Sequence, residues 1–539
     1  MPAEPAFISV DARFHEHYTA LWAALERVFP VQFVADAPPA QAIGAIVFDD
    51  EPAADRAGPS LTLPLPDDRS THGGVRVQTS ALVPDTTLAA MDLIDAGEGM
   101  LPLRPATGEV VLAETDTGPV WLMTADSDVG PSFRCARPLP DLAHGAALRD
   151  HLTLGDFLGL VPLVLAIRSW LGPSGWTEPP LRATFLFDDI NLHGRRYGFI
   201  PFQALADDGA EHGYHTIMAT IPLDAWFTHP TARRVFGRDD VLSLVFHGND
   251  HTTRELDSVE SVDDALAKMA QGLRRITAFE AKSGLHVGRI MTPPHGACSS
   301  AVAEALFRLG YRALCIDDVA SWSAEPDPDP ALHGWFPADF VAGGLPVVPR
   351  TLFDHDPREL SFRAFLRQPL VVYGHHEDLA EGLDLLRTFA AIVNRLGDVR
   401  WCDLDEMLDT NIATRVTDST LHVRTYAGDA TIDIPEGIDT VALQTPGVAG
   451  TLADTALSYD GAPVGFTSDA WQRVHVDPAG VTSATTVASQ IASTEPVEPA
   501  AVPSPDRHPW PLVRRGLTET RDRGMPIAAR ARRPTARTS

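Results

Sequence analysis

The chain has few cysteines, almost no lysine and no long apolar run. Its only lysines are Lys268 and Lys282. The longest apolar run, from Phe157 to Ile167, is well short of the roughly 20 residues that a membrane-spanning helix needs. Four cysteines lack paired spacing, which predicts reduced, mostly buried thiols and excludes a disulfide framework or a thiolate zinc site: Cys135, Cys298, Cys315 and Cys402.

Positive charge is also scarce. Lysine and arginine number 43 against 72 acidic residues, a formal net charge of -29 at pH 7. Such a charge repels phosphate, so nucleic acid and anionic membrane surfaces are excluded as partners. The first residues, Met1 to Pro5, lack the basic and apolar segments of a signal peptide. We therefore expect a cytoplasmic location.

Composition shifts divide the chain into five segments. A length of 539 residues exceeds one ordinary core and predicts two or three domains. We expect a bridging helix from Leu148 to Leu171 that bends or breaks at Pro162. The segments are an N-terminal α/β or α+β domain of unassigned role (1–145), the bridging helix and linker (146–180), a central domain (181–412), a small antiparallel β module (413–482) and a disordered Pro/Ser/Arg-rich tail (483–539).

The central segment alternates between strand and helix patterns. Candidate helices are 259–283, 299–309 and 377–396. Such alternation predicts parallel strands with helices outside them, and seven strands suit a closed or nearly closed (β/α) barrel. Its active site would lie at the C-terminal ends of the strands. The candidate strands are 183–187, 215–221, 241–246, 287–292, 312–317, 370–374 and 399–402.

The first of these strands ends in two adjacent acids, Asp188 and Asp189. A buried strand has no use for paired acids at its tip unless a ligand such as a divalent metal lies there. Phe48 also precedes an acid pair, so the pair at 188–189 needs support from its context. Other Asp-Asp pairs are common in this chain: 49–50, 67–68, 207–208, 239–240, 263–264 and 317–318.

Histidines mark the end of the strand pattern Val241 to Phe246. His247 and His251 are four residues apart, so both rings project to the same side of a strand or a helix. Two imidazoles and one carboxylate would hold a metal and leave positions open for water and substrate. The alternative is a pair of surface loop histidines.

Two further strand ends carry unusual residues. In the segment from Thr292 to Gly296, two prolines fix the loop and glycine permits a close approach of the backbone. His295 is the one chemical group in this segment, and the two alternatives are direct catalysis and a rigid strand-to-helix turn. The strand pattern Val371 to Gly374 ends in the histidine pair His375-His376.

The order of these motifs resembles the polysaccharide deacetylase superfamily of metal-dependent carbohydrate esterases. The order is Phe-Asp-Asp, His-x-x-x-His, Pro-Pro-x-Gly, an Asp-Asp pair followed by Trp322, and Gly-His-His. The resemblance covers roughly 181–410. It implies an α/β protein whose central domain is a distorted, deacetylase-like (β/α) barrel, together with one divalent metal ion, for which we expect zinc.

The resemblance also implies roles for residues at matching positions. Asp188 would be the catalytic base and His375 the general acid. Asp189 would bind the metal together with His247 and His251. Asp317 or Asp318 would be an orienting acid, and a backbone N–H of the 294–297 turn would help to stabilise the oxyanion. His376 is the alternative to His375 as the general acid, because the double histidine leaves the register of the motif ambiguous. The segment from Thr292 to Gly296 would form one wall of the groove. The expected substrate-binding residues are Pro294, His295, Gly296, Asp318, Trp322 and His376.

The chain departs from the family pattern in two places. The family follows its acid pair with glycine, whereas Ile190-Asn191 stands here. It also places an arginine beside the Pro-Pro turn, whereas Thr292 stands here and Arg289 lies three residues earlier. These differences indicate a divergent branch with an open choice of substrate.

We therefore predict a metal-dependent hydrolase that removes an acyl group, expected to be N-acetyl, from a carbohydrate or related substrate. One alternative is an inactive deacetylase-like protein that binds glycans or acts as a scaffold. The other is a glycoside hydrolase that pairs Asp188 or Asp189 with Asp318 or Glu377, a chemistry that needs two carboxylates and no metal. Partner proteins are not predicted.

Overall fold

The structure is a computed structural model that places most of the chain in three units and a C-terminal helix. Within the described part, no helix is both long and apolar enough to cross a membrane. All four cysteines are free and buried, as predicted. The described residues are 5–38, 40–48, 58–65, 75–89, 91–95, 100–124, 130–142, 145–238, 241–317, 330–445, 453–459, 462–463, 467–468, 472–475, 486–506 and 508–532.

The N-terminal unit is a mixed sheet with helices Ala12–His17 and Thr19–Val28 against it. The first five strands in spatial order are parallel, and the remainder pair antiparallel. Asp49 and Asp50 lie outside the described residues. The spatial strand order is Val31–Ala35, Ala6–Val10, Ala42–Phe48, Ser60–Leu63, Ser132–Cys135, Gly118–Thr124, Glu109–Thr115, Val75–Thr79 and Asp92–Asp95.

The linker differs from the single bridging helix expected over Leu148 to Leu171. Leu148–His151 is one 3₁₀ turn, and the α-helix spans only Val161–Leu171. Pro162 lies in the first turn of that helix, where the missing N–H has no intrahelical partner to lose. The proline therefore begins the helix instead of bending it.

The central unit is a closed barrel of parallel strands, which confirms the predicted (β/α) barrel. Hydrogen-bonded pairs link each strand to the next, and the last strand pairs with the first. The seven strands of the ring are Leu181–Ile190, Thr216–Thr220, Leu242–Phe246, Gly288–Met291, Ala313–Ile316, Leu345–Leu352 and Leu370–Gly374.

One predicted barrel strand is replaced by another. Val399–Trp401 pairs with Leu181–Ala183 on the outside of the ring. The ring is completed instead by Leu345–Leu352, which no sequence pattern indicated. Pro346 and Pro349 interrupt that strand, and proline ordinarily argues against a central strand because it cannot donate to the ladder.

Helices cover the outside of the barrel. Two of the predicted ones begin after serine caps, since Ser261 accepts from the N–H of Asp264 and Ser299 from that of Val302. The helix expected at 377–396 begins only at Asp384, because a 3₁₀ turn, His376–Leu379, comes first. The barrel-region helices are Phe202–His212, Pro230–Phe236, Val262–Ser283, Ser300–Arg308, Leu360–Phe365, Asp384–Asn394 and Leu404–Asp409.

The β module differs from the expected antiparallel unit over 413–482. Thr420–Thr425 pairs in parallel with Thr440–Gln444, and the last strand, Thr486–Ser493, extends the module beyond 482. One sheet contains Ile412–Thr417, Thr420–Thr425, Thr440–Gln444, Gln472–His475 and Thr467–Ser468, and the other contains Asp429–Asp433, Thr486–Ser493, Ala453–Tyr459 and Ala462–Pro463.

The C-terminal segment also differs from the disordered tail expected over 483–539. After the Thr486–Ser493 strand, residues Trp510–Arg532 form an α-helix. We call this element the C-terminal helix. Its buried side carries charged residues, among them Arg515 and Asp522, so a search for apolar periodicity does not find it.

Candidate metal and catalytic site

Alternation along the barrel strands places a layer of polar side chains at the mouth. A cluster of apolar residues fills the interior, and six of the seven ring strands contribute these members: Leu186, Val245, Ile290, Cys315, Val348 and Val371. Side chains two residues further along a strand point the same way. The residues at those positions are Asp188, His247, Thr292, Asp317, Arg350 and Tyr373.

Asp189 reaches this layer through a local irregularity. Strand alternation alone would turn its side chain away from that of Asp188. The register with the neighbouring strand shifts between Phe187 and Ile190, and Asp189 has a φ of +70°, which is uncommon for a residue other than glycine. The bulge lets both adjacent carboxylates face the barrel mouth.

Three of the predicted metal ligands meet at this point. Oδ1 of Asp189 lies 3.3 Å from Nε2 of His247 and 2.8 Å from Nε2 of His251. One ligand atom from each residue lies within 4.8 Å of the other two. Both histidines are buried, whereas the Asp189 side chain is 22% exposed and so faces an opening.

The hydrogen bonds of His247 show that the cluster fits a cation. Its Nδ1 lies 2.9 Å from the backbone carbonyl of Thr292, so Nδ1 donates to that oxygen. Its Nε2 therefore faces Asp189, and a divalent ion would take the place of the proton between them. Metal-binding histidines are held in this way, and the residues fit a divalent ion.

The charge state of Asp189 agrees with a ligand role. Burial opposes its negative charge, but the imidazoles of His247 and His251 outweigh that effect and hold the pKa of Asp189 well below its usual range. The carboxylate is therefore ionised, as metal binding requires.

A buried acid, Glu255, shapes the loop that carries His251. The N–H groups of Asn249 and Asp250 donate to its Oε1 at 2.5 and 3.1 Å. Gly248 precedes them with a φ of +64°, and a Cβ there would overlap Glu255 and Pro294. The loop can therefore turn tightly enough to bring His251 beside His247, with ring centroids 5.0 Å apart.

Arg350 fixes the proposed base. Its Nη1 lies 3.0 and 3.3 Å from the carboxylate oxygens of Asp188, and its Nε lies 2.8 Å from Asp317. Only 2% of Arg350 is exposed. Burial opposes its charge, but Asp188 and Asp317 outweigh that effect and raise the pKa of Arg350. The guanidinium therefore orients the Asp188 carboxylate from inside the barrel.

Arg350 supplies the arginine that the family pattern places at position 292. Thr292 instead accepts from His247 through its backbone carbonyl. Arg289 does not reach the described site residues, and pairs with Glu280 at 2.6 Å. The arginine is thus present, but it comes from the Leu345–Leu352 strand.

Tyr373 and Asp317 complete the support of this arginine. The ring centroid of Tyr373 lies 3.8 Å from the guanidinium carbon, and its hydroxyl donates to Asp317 at 2.5 Å. Burial, reinforced by this hydrogen bond, raises the pKa of Tyr373, so the hydroxyl remains a donor. Asp317 therefore acts through Arg350. Asp318 and Trp322 lie outside the described residues.

The Pro-Pro segment forms a side wall next to the metal ligands. Pro294 packs against Gly248, and the exposed ring of His295 lies 5.8 Å from that of His251. Gly296 has a φ of +61°. The N–H groups of Gly296 and Ala297 donate within the turn, so the expected oxyanion contact from this turn cannot use either of them.

The two late histidines lie in different surroundings. His375 is exposed, and its backbone N–H donates to Asp378 at 2.8 Å. His376 is buried, and a Cβ on Gly198 would overlap its ring. Nε2 of His376 lies 3.5 Å from Asp522 of the C-terminal helix. His375 is thus the one presented to solvent.

A cleft of about 260 Å³ joins these histidines to Asp189. The structure therefore places the acid pair beside the His-x-x-x-His pair, and the cleft connects Asp189 with the Gly-His-His pair. His295 of the Pro-Pro segment lies next to His251. Sequence reasoning missed Arg350, Tyr373, Glu255 and Asp522. The inward alternation of a barrel strand is the signal that would have found the first two, had strand 345–352 been recognised.

Comparisons with known proteins were made for the whole chain. Neither protein-family models nor curated proteins match it. Among solved structures, 17 chains match. A polysaccharide deacetylase from Mycobacterium smegmatis is 14% identical with a TM-score of 0.31, covering 42% of this chain and 89% of that one. A family 4 carbohydrate esterase from Streptomyces lividans, in complex with acetate, is 12% identical with a TM-score of 0.25, covering 40% and 88%.

A third match is a mutant of a pseudoenzyme of the same esterase family, with restored activity. It is 12% identical with a TM-score of 0.27, covering 43% of this chain and 68% of that chain. At such TM-scores the likeness carries no information about activity. The central unit is a (β/α) barrel by its own closed ring of seven parallel strands.

Proposed function

We propose that the barrel is a metal-dependent hydrolase that removes an acyl group, N-acetyl in the simplest case, from a carbohydrate or related substrate. One observation carries the proposal: Asp189, His247 and His251 converge on one point, and Asp188 stands beside them. Three protein ligands leave coordination positions open, as catalytic metal sites do. Zinc is the ion best suited to two imidazoles and a carboxylate.

The neighbouring side chains supply the proton transfers. A bound zinc ion would supply a Lewis acid that acidifies water and polarises an acyl carbonyl. Asp188 takes the proton of the attacking water on its carboxylate, which Arg350 holds in place. His375, exposed in the same cleft, donates a proton to the nitrogen of the leaving amine. His376, which also lines this cleft and lies beside Asp522, is buried and acts as a positioning residue.

The surroundings of Asp188 and Glu377 provide little support for the inactive barrel or the glycoside hydrolase. An inactive barrel would be favoured by the lack of an arginine at position 292, but Arg350 contacts Asp188 instead. For a glycoside hydrolase, Glu377 is the described candidate for a second acid, and its carboxylate lies 3.5 Å from buried His376. Neither alternative accounts for two histidines aimed at Asp189.

Acetate release tests the proposal. The purified protein is stripped with a chelator, reloaded with zinc and assayed on a panel of N-acetylated sugars. We expect release only after reloading, and its loss in Asp188→Asn. Asp263→Asn, in another acid pair on an exposed helix start, is the matched control and should retain activity. Acetate release by the stripped protein would overturn the metal requirement, whereas cleavage of glycosidic bonds without acetate release would favour the glycoside hydrolase.

A further inference from the structure

The C-terminal helix lies across the mouth of the barrel. Arg514 donates to the backbone carbonyl of His251, and Asp522 faces His376. At a rise of 1.5 Å per residue, the helix covers about 12 Å between these two contacts. The strands that precede His251 and His376 are three positions apart in the ring of seven, which is the largest separation the ring allows.

Buried polar contacts fix the helix in this position. Arg515 is 4% exposed and pairs with Asp224, which is 5% exposed, at 2.5 Å. The hydroxyl of Tyr197 donates to Asp522 at 2.7 Å, and Asp522 is 1% exposed. Lifting the helix would leave buried charges unpaired, which is strongly unfavourable. The helix is therefore a permanent wall.

The opening that remains beside this wall is small. The cleft of about 260 Å³ has Arg521 and Asp522 on the helix side and His375 on the barrel side. Pockets for compact ligands measure roughly 300–1,000 Å³, so this one has room for about one sugar residue. A polymer acted on at an interior residue needs a groove that is open at both ends.

We propose that the C-terminal helix closes one end of the cleft and restricts the barrel to terminal acylated sugars, either small free sugars or the last residue of a chain. The inference rests on the proposed function and specifies its substrate class. The interior residues of a long glycan are excluded, because the chain would have to pass through the helix.

Product analysis on a defined oligomer tests the restriction. The full chain, loaded with zinc, is given hexa-N-acetylchitohexaose, and tandem mass spectrometry locates the sugar that has lost acetate. We expect loss at a terminal residue only. Loss at interior residues would overturn the proposal.

A matched pair of variants links the restriction to the helix. Leu517 is 66% exposed, so replacing its side chain alone removes little packing against the barrel. Leu517→Pro breaks the helix through its backbone, whereas Leu517→Ala keeps it. We expect interior deacetylation to appear in Leu517→Pro alone. Terminal-only products from Leu517→Pro, with the helix shown to be broken by hydrogen exchange, would overturn the proposal.

Two measurements that need no turnover complete the test. Amides of residues 514–522 should exchange slowly in the free protein and stay protected after the hexamer is added; deprotection by the hexamer would identify a displaceable plug and overturn a fixed wall. If no sugar loses acetate, the proposed function fails. Binding then decides: Leu517→Pro should bind the hexamer several-fold more tightly than Leu517→Ala, and equal affinities would overturn the restriction.

Discussion

Arg350→Met should destabilise the barrel because it leaves Asp188 buried without its countercharge. Asp188 is 3% exposed, and Nη1 of Arg350 makes 3.0 and 3.3 Å contacts to it. The methionine side chain fills much of the space over the Tyr373 ring but carries no charge. The principal loss is therefore electrostatic and not a cavity.

The expected magnitude follows from the burial of the pair. Removing one partner of a buried ion pair costs about 3–5 kcal/mol, a large part of the roughly 5–15 kcal/mol that stabilises an ordinary domain. Adding Asp188→Asn should recover part of this loss, since a neutral amide needs no countercharge. We expect a coupling of about 1–3 kcal/mol between the two sites.

Urea unfolding of metal-free protein measures these effects, because no bound cation can then stand in for the arginine. Arg289→Met is the matched control: its partner Glu280 and Arg289 itself are 19% and 28% exposed, so we expect a change of about 1 kcal/mol or less. Equal midpoints for the two arginine variants, or additive effects of Arg350→Met and Asp188→Asn, would refute the bridging role of Arg350.

Three further predictions concern the residues around the cleft. His375→Gln should lower kcat by about 10²–10⁴-fold with zinc content unchanged, as steady-state kinetics and metal analysis would show; unchanged kcat would remove its role as the acid. Glu255→Gln should weaken zinc binding by about 10–100-fold in a chelator competition, and equal affinity would exclude its support of the loop. Gly198→Ala should displace the ring of His376 and reduce turnover, whereas Gly213→Ala, also at positive φ but facing open space, should not; equal losses would indicate backbone strain alone.

The barrel and its ligands could be predicted because their signals are local. Apolar runs of strand length end in Asp188-Asp189, His247 and His375, and strand ends of a parallel barrel meet at one face. Two histidines four residues apart can be placed on the same side of a strand or helix without knowledge of the tertiary fold. The acid pair gained its meaning from that order of motifs.

Arg350 could not be predicted because its contact is not local. It lies 162 residues from Asp188 in sequence. Two prolines in its strand argue against a strand assignment from sequence. The motif pattern places the arginine near Thr292, yet the geometry requires only that a guanidinium enter the polar layer. An inward position two strands further around the ring meets that requirement equally well.

The C-terminal helix was not predicted from the sequence for a different reason. Its inward side carries Arg515, Glu519 and Asp522, whereas Leu512 and Leu517 are exposed. This reverses the usual pattern of an amphipathic helix, whose apolar side faces the core. The reversal has a physical cause, because the surface it covers is the polar mouth of the barrel.

The central claim is that the adjacent acids have separate roles, with Asp189 a metal ligand and Asp188 the base. The most direct measurement is the zinc content and acetate release of Asp188→Asn and Asp189→Asn, purified alike. We predict that Asp188→Asn keeps one zinc ion per chain and loses turnover, whereas Asp189→Asn loses both. Zinc retained by Asp189→Asn, or turnover retained by Asp188→Asn, would contradict the account.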